Sequence, residues 1–147
     1  MATAPSTVDV AALASSLRLS VTRLARTLRR ESATDVSPTL MAALATVETH
    51  GPMTPGDLAA HEQIRKPTVT RILGSLVEHG LVERTPDPLD GRVAWIQVTP
   101  AGRKLLSRVR RRHAEYLARK IKRLPPDELQ TLERAALILD RITERPA

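Results

Sequence analysis

Between Lys66 and Arg92 the chain carries two small sets of residues suited to contacting a polyanion. The first is Lys66-Pro67-Thr68-Val69-Thr70-Arg71, with Ser75 one turn further on. If Val69 marks the middle of a buried side, steps of about 100° per residue put Ile72, Leu73 and Leu76 on that side as well. Pro67, Thr68, Arg71 and Ser75 then share the opposite side, with Thr70 on its flank. Such a face suits the major groove of a DNA duplex. Small side chains let the backbone approach, Arg forks onto guanine O6 and N7, and Thr touches a thymine methyl. Taken alone, the same face is equally an ordinary solvated one. The second set is Asp90-Gly91-Arg92. Arg92 is long enough to enter a narrow minor groove, where the negative potential is strongest. Asp90 is placed to hold its guanidinium through a charge-assisted pair. Taken alone, Asp-x-Arg in a turn is most often a surface ion pair worth little.

The elements that must position these residues are legible around them. A helix starting near Lys66 and stopped by Gly80 carries the first set, and a shorter helix with a tight turn precedes it. After Gly80, Leu81-Val82-Glu83-Arg84 and Val93-Ala94-Trp95-Ile96-Gln97-Val98 flank a run of turn formers, Pro86-Asp87-Pro88-Leu89-Asp90-Gly91-Arg92. The β-branched and aromatic content of the second run reads as a hairpin, whose loop is a wing. The stretch Thr54–Thr99 therefore has the outline of a winged helix-turn-helix. Further upstream, Ser37-Pro38 opens a helix with an N-cap and a Pro at the first position, and His50-Gly51-Pro52 ends it. Thr54-Pro55 repeats the device, with Asp57 favouring the helix N-terminus.

Outside residues 35–99 the pattern is one of long amphipathic helices. From Val8 to about Arg30, Val10, Leu13, Leu17, Val21, Leu24 and Leu28 recur at steps of three and four, with several Arg on the other sides. Thr99-Pro100 starts the longest helix, expected to run to about Arg123, with Leu105, Val109, Tyr116, Leu117, Ile121 and Leu124 as its stripe. Its Arg110-Arg111-Arg112 run reads as a solvated face or a phosphate patch. Pro125-Pro126 forces a corner. A last helix then follows with Asp127-Glu128 in its first turn and Leu129, Leu132, Ala136, Leu139 and Ile142 along one side. Three stripes drawn from the two ends of the chain leave much apolar surface uncovered in one subunit. Two subunits could interleave them, so residues 8–34 and 100–147 are expected to form a dimerisation region on a two-fold axis. Residues 1–7 are expected to be disordered.

Composition sets the outer limits. The 147 residues suit one domain. With no Phe, one Trp and one Tyr, the core must be Leu, Val, Ile and Ala, which suits packed helices. A net charge of +7 favours an acidic partner, whether nucleic acid, anionic membrane or acidic protein. The absence of Cys excludes disulfides and thiolate chemistry. No run approaches the roughly 18 apolar residues of a membrane span, and a cytoplasmic location is expected.

Leu58-Ala59, Thr68-Val69-Thr70-Arg71, Leu76, Gly80-Leu81-Val82, Arg84, Asp90-x-Arg92 and Thr99-Pro100-Ala101-Gly102 resemble the MarR family of bacterial transcription regulators. The resemblance extends over most of the chain. It implies a homodimer bound to a pseudo-palindromic site on double-stranded DNA, usually as a repressor, and often released by a small ligand. Two positions depart from the family pattern. Glu62-Gln63 occupy the turn where an apolar and a small residue are common, and Arg65-Lys66 stand where a Ser often caps the recognition helix. In proteins of this kind, effectors often bind between the dimer helices and the DNA-binding unit. Trp95 and Tyr116 are the aromatic residues available to stack on an aromatic effector, with His113 one turn from Tyr116 for a polar contact; packing is the competing role for Trp95.

A catalytic reading finds no support. His50, His61, His79 and His113 fall in no metal-ligand spacing and read as surface or helix-end residues. There is no Gly-rich phosphate loop and no nucleophile motif, and no cofactor is expected. The alternative to a sequence-specific regulator is a winged-helix module used for protein association or for non-specific coating of DNA.

Overall fold

The computed structural model describes residues 7–144, so the expectation for residues 1–7 lies, apart from Thr7, outside the described residues. Its element order is α1 (Val10–Glu31), α2 (Pro38–His50), α3 (Pro55–Glu62), α4 (Lys66–Glu78), β1 (Val82–Pro86), β2 (Ala94–Val98), α5 (Pro100–Ile121) and α6 (Pro126–Thr143). The fold is mainly α with a two-stranded antiparallel hairpin.

Local chemistry explains most helix starts. Asp9 accepts the Ala12 N–H at 3.1 Å, Ser37 the Leu40 N–H at 3.3 Å, and Thr99 the Gly102 N–H at 3.1 Å. Thr54 and Asp57 form a reciprocal capping box, which satisfies two N–H groups that a helix start otherwise leaves bare. Asp9 was not read from the sequence as a cap, and α1 begins two residues later than expected. Gly80 ends the recognition segment at φ +69°, a left-handed conformation that glycine adopts without steric cost.

The core lies within residues 43–106. Ala43, Leu44 and Val47 of α2 meet Leu58 of α3, Val69, Ile72, Leu73 and Leu76 of α4, the hairpin residues Val82, Ile96 and Val98, and Leu105 and Leu106 of α5. This is the aliphatic core that the composition requires. Strand pairing runs Val82↔Val98 to Pro86↔Ala94, so β1 extends two residues further than the sequence pattern indicated. Met53, buried, adds a bridge to Ile96 on the hairpin's other edge, with N–H to carbonyl distances of 3.0 and 2.7 Å. This tie fastens the α2–α3 corner to the wing.

Neither α1 nor α6 contributes a buried residue. Leu13, Leu17, Val21 and Leu24 of α1 and Leu132, Leu137, Ile138 and Ile142 of α6 stay exposed. Leu129 and Leu139 are half-buried, so the apolar surface of α6 extends around more of the helix than the expected stripe.

Candidate nucleic-acid interface

The α4 face forms as its spacing requires. Val69, Ile72, Leu73 and Leu76 are buried, which turns Lys66, Pro67, Thr70 and Arg71 to the outside and leaves Thr68 and Ser75 half-buried. Thr70 Oγ1 donates to the Lys66 carbonyl at 3.1 Å, while the residue stays exposed. The Ser75 carbonyl accepts from His79 Nδ1 at 2.7 Å, which assigns the proton to that nitrogen. Ser37 and Thr39, at the start of α2, join Thr68, Arg71 and Ser75 around one shallow groove of about 290 Å³. From the sequence Ser37 reads as a helix cap alone, and Thr39 carries no signal. Their proximity to the α4 face depends on α2–α4 packing, which local sequence does not display.

The start of α4 is unusual in two ways. Arg65 occupies the N-cap position and makes no side-chain cap bond, as its side chain, which has no acceptor, dictates. Instead the Thr68 and Val69 N–H groups bond the Arg65 carbonyl at 3.0 and 3.1 Å, and Pro67 has no N–H to satisfy. Gln63, in the preceding turn, adopts φ 55°, where Gly or Asn is usual. Its neighbour Glu62 accepts a hydrogen bond from Thr46 Oγ1, tying the turn to α2. The two departures in the turn are thus accommodated, one by strain and one by a side-chain bond.

In the wing, the expected pairing of Asp90 with the Arg92 guanidinium is corrected. Asp90 Oδ1 accepts the Arg92 backbone N–H at 3.0 Å, and Arg92 takes part in neither ion pair found among the described residues. A carboxylate two residues before an N–H closes a small ring more readily than it meets the end of a long side chain. The residue the sequence reading passed over is Asp87. It accepts from the Leu89 and Asp90 N–H groups at 2.8 and 3.0 Å and from Trp95 Nε1 at 2.8 Å. The Trp95 bond, followed by the two backbone bonds, holds the Asp87 carboxyl below the ordinary carboxylate value.

Trp95 is therefore a wing residue, and the structure does not bring it together with His113 and Tyr116. Tyr116 is half-buried on α5 with Arg119 and Lys120 of its own helix at 5.9 and 5.5 Å from the ring. Only His113 of the three lines the cavity of about 490 Å³ between α1, α2 and α5, beside Arg29, Met41, Leu106, Val109 and Arg110. His113 is not the surface residue expected either. It is half-buried, with Nε2 2.6 Å from Ser32 Oγ. Ser32 already donates its one proton to the Leu28 carbonyl at 3.0 Å, so Nε2–H is the donor to Ser32. Arg110 is held by Glu48 at 2.6 Å, and Arg111 lies 3.7 Å from Glu115, while Arg112 takes part in neither ion pair.

His50 and His61, which are distant in sequence, stack with ring centroids 4.3 Å apart. No group of three or more metal-ligating side chains occurs among the described residues. No helix there is long and apolar enough to cross a membrane.

A winged helix-turn-helix with an outward basic and hydroxyl-bearing helix face defines a DNA-binding class of protein. Residues 36–94 match the MarR family. An HTH-type transcriptional regulator of Mycobacterium leprae is 43% identical over 138 residues, covering 92% of this chain and 96% of the relative. The fold is similar to a crystal structure described as a transcriptional regulator from Pseudomonas aeruginosa, with TM-score 0.84, 31% identity and coverage of 97% and 100%. It is also similar in fold to a mutant MepR of S. aureus bound to an oligodeoxyribonucleotide, at TM-score 0.70, 19% identity and coverage of 90% and 98%. The chain belongs to the MarR family. It is a DNA-binding transcription regulator and not an enzyme.

Proposed function

We propose that the chain is a homodimeric, sequence-specific repressor acting on a two-fold-symmetric DNA site in the cytoplasm, released by a small apolar anion. Residues 8–34 and 100–147 form the dimerisation region, and residues 35–99 the DNA-binding region. Arg71 and Thr68 read base edges in the major groove, with Pro67, Thr70 and Ser75 at the rim of the contact. Lys66 meets phosphate, and Arg92 enters the minor groove while Asp90 shapes the turn that carries it.

The observation that carries this reading is a division of labour. The winged unit closes its core with Leu105 and Leu106 at the start of α5, whereas α1 and α6 leave apolar side chains in solvent: Leu17 is 38% exposed, Leu24 44%, Leu132 45% and Ile142 69%. Uncovered stripes on both chain ends fit a second copy, which would set two α4 helices about 34–36 Å apart on successive major-groove turns. The cavity beside His113 supports the ligand response. Its lining combines Met41, Leu106 and Val109 with Arg29 and His113, Arg110 being engaged by Glu48, which suits an aromatic or aliphatic carboxylate.

Selection from a random duplex pool tests the whole reading. The expected result is a two-fold-symmetric motif preferred over random duplex by roughly 10³ or more, bound by a particle of twice the chain mass. A protein that enriches no motif, or binds as a single chain, refutes it.

A further inference from the structure

The wing loop carries a second exposed side chain three residues before Arg92. Leu89 is 98% exposed, more than any other large apolar residue among those described. A lone leucine on a pliable loop would carry no meaning, but this loop is closely tied. The Asp87 carboxylate accepts from the Leu89 N–H, the Asp90 N–H and Trp95 Nε1. The Asp87 N–H bonds the Val93 carbonyl at 2.9 Å, and the Val93 N–H the Asp90 carbonyl at 3.0 Å. Asp90 Oδ1 then takes the Arg92 N–H. With its own N–H held inward, Leu89 stands out in solvent on the loop that also carries Arg92, an exposed cation free of both ion pairs found among the described residues.

We propose that the wing is a preorganised two-pronged probe of the minor groove, in which Leu89 packs on the deoxyribose wall beside Arg92 and Asp87 is the positioning residue for both. The chemistry of the groove matches the two prongs. Its walls are apolar sugar edges that accept aliphatic side chains, and its floor is electronegative. Ordering the loop before binding removes a conformational cost from association. The inference rests on the DNA-binding reading of the wing and adds to it an apolar contact and the residue that aims it.

Salt titration separates the prongs, because only a cation releases counterions. The probe is the duplex recovered from the random pool. Leu89→Ala is expected to weaken binding about three- to tenfold at every salt concentration with the slope unchanged, as the loss of a partly buried aliphatic group implies. Arg92→Ala is expected to weaken binding and lower the slope by about 1. Asp87→Asn sets an amide against Trp95 Nε1; it should shift the emission of the chain's one tryptophan and weaken binding as far as the Leu89→Ala/Arg92→Ala pair does. Leu89→Ala binding like the parent while Arg92→Ala is weakened would overturn the apolar prong alone. Asp87→Asn binding like the parent, whatever its emission, would overturn the positioning role. A changed particle mass for Leu89→Ala would assign the leucine to a contact between copies and overturn the inference. A parent that enriches no duplex would overturn the function reading and the inference together.

Discussion

Asp87 and Asp90 stand three residues apart in one loop, and the difference between them is a matter of reach. Asp90 closes a two-residue ring onto the Arg92 N–H, whereas Asp87 gathers two such N–H groups and an indole eight residues away. Its carboxyl is held below the ordinary value, first by the Trp95 bond. A depressed folded pKa gives the charged form a stabilising role that is complete above the unfolded pKa and lost as pH falls through the folded one. Trp95 emission is therefore expected to be flat from neutral pH down to about pH 4, near the ordinary carboxylate value. Below that it should change as the indole loses its charged acceptor, and the change should be absent in Asp87→Asn. A transition above pH 5 would assign it to another group. On α4, Arg71→Ala removes the one guanidinium on the outward face and should relax base choice at its contact by about 1–3 kcal/mol. Competition between the selected duplex and its single-base variants measures this. The α4 face was legible because it depends on one helical periodicity, whereas the Asp-x-Arg spacing pointed to a guanidinium contact and the carboxylate instead takes the Arg92 N–H. The Asp87–Trp95 bond was not legible, because turn preferences register that an Asp starts a turn and are silent on a partner across the hairpin.

At the scale of elements, signals confined to a few residues translated most directly. Ser37, Thr54 and Thr99 cap the helices their Pro-containing starts announced, and Gly80 and Pro125-Pro126 end segments where the backbone requires it. What escaped was pairing across the fold. The Met53–Ile96 bridge joins residues 43 positions apart, and a single apolar residue between Pro52 and Thr54 carries no strand periodicity. Gln63 offered a sign of trouble in the turn without revealing how it is absorbed, by a left-handed backbone at a residue with a Cβ. Gly102 is the strictest case of close approach. A Cβ there would run into the Leu81 carbonyl oxygen and the Val98 side chain, because the first turn of α5 lies directly on the chain entering β1. Thr99 adds a second tie there by donating its hydroxyl to the Gly80 carbonyl at 2.6 Å. Gly102→Ala is therefore expected to destabilise the fold by about 1–3 kcal/mol as backbone shifts to relieve the overlap. A urea melt followed by circular dichroism reads the midpoint, and a melt identical to the parent's would show that α5 can move away without cost.

At the scale of the whole molecule, the decisive contrast is between a winged unit with a closed core and end helices without one. A chain with this little aromatic content has no bulky side chain to seal α1 against α5 and α6 alone, so its stripes of Leu, Val and Ile remain open. This was legible in outline from periodicity, though the wider apolar surface of α6 was not, since one stripe fitted the pattern and Leu137 and Ile138 fell outside it. The physical consequence can be tested without disturbing the winged unit. Leu17 and Leu132 lie outside the buried cluster, so placing Glu at both positions should leave the far-ultraviolet spectrum and the wing's Trp95 emission near those of the parent. Two carboxylates per chain at the stripe would make association costly, since each must be desolvated without a partner. The expected outcome is a particle of one chain mass by light scattering. A monomer must hold each half-site unaided, so affinity for the full duplex should fall by about 10²–10⁴, the factor by which a linked second site raises avidity. Affinity for an isolated half-site should stay close to that of the parent. A double variant that keeps twice the chain mass would place the subunit contact elsewhere on the molecule. One that becomes monomeric yet binds the full duplex as tightly as the parent would separate recognition from dimerisation.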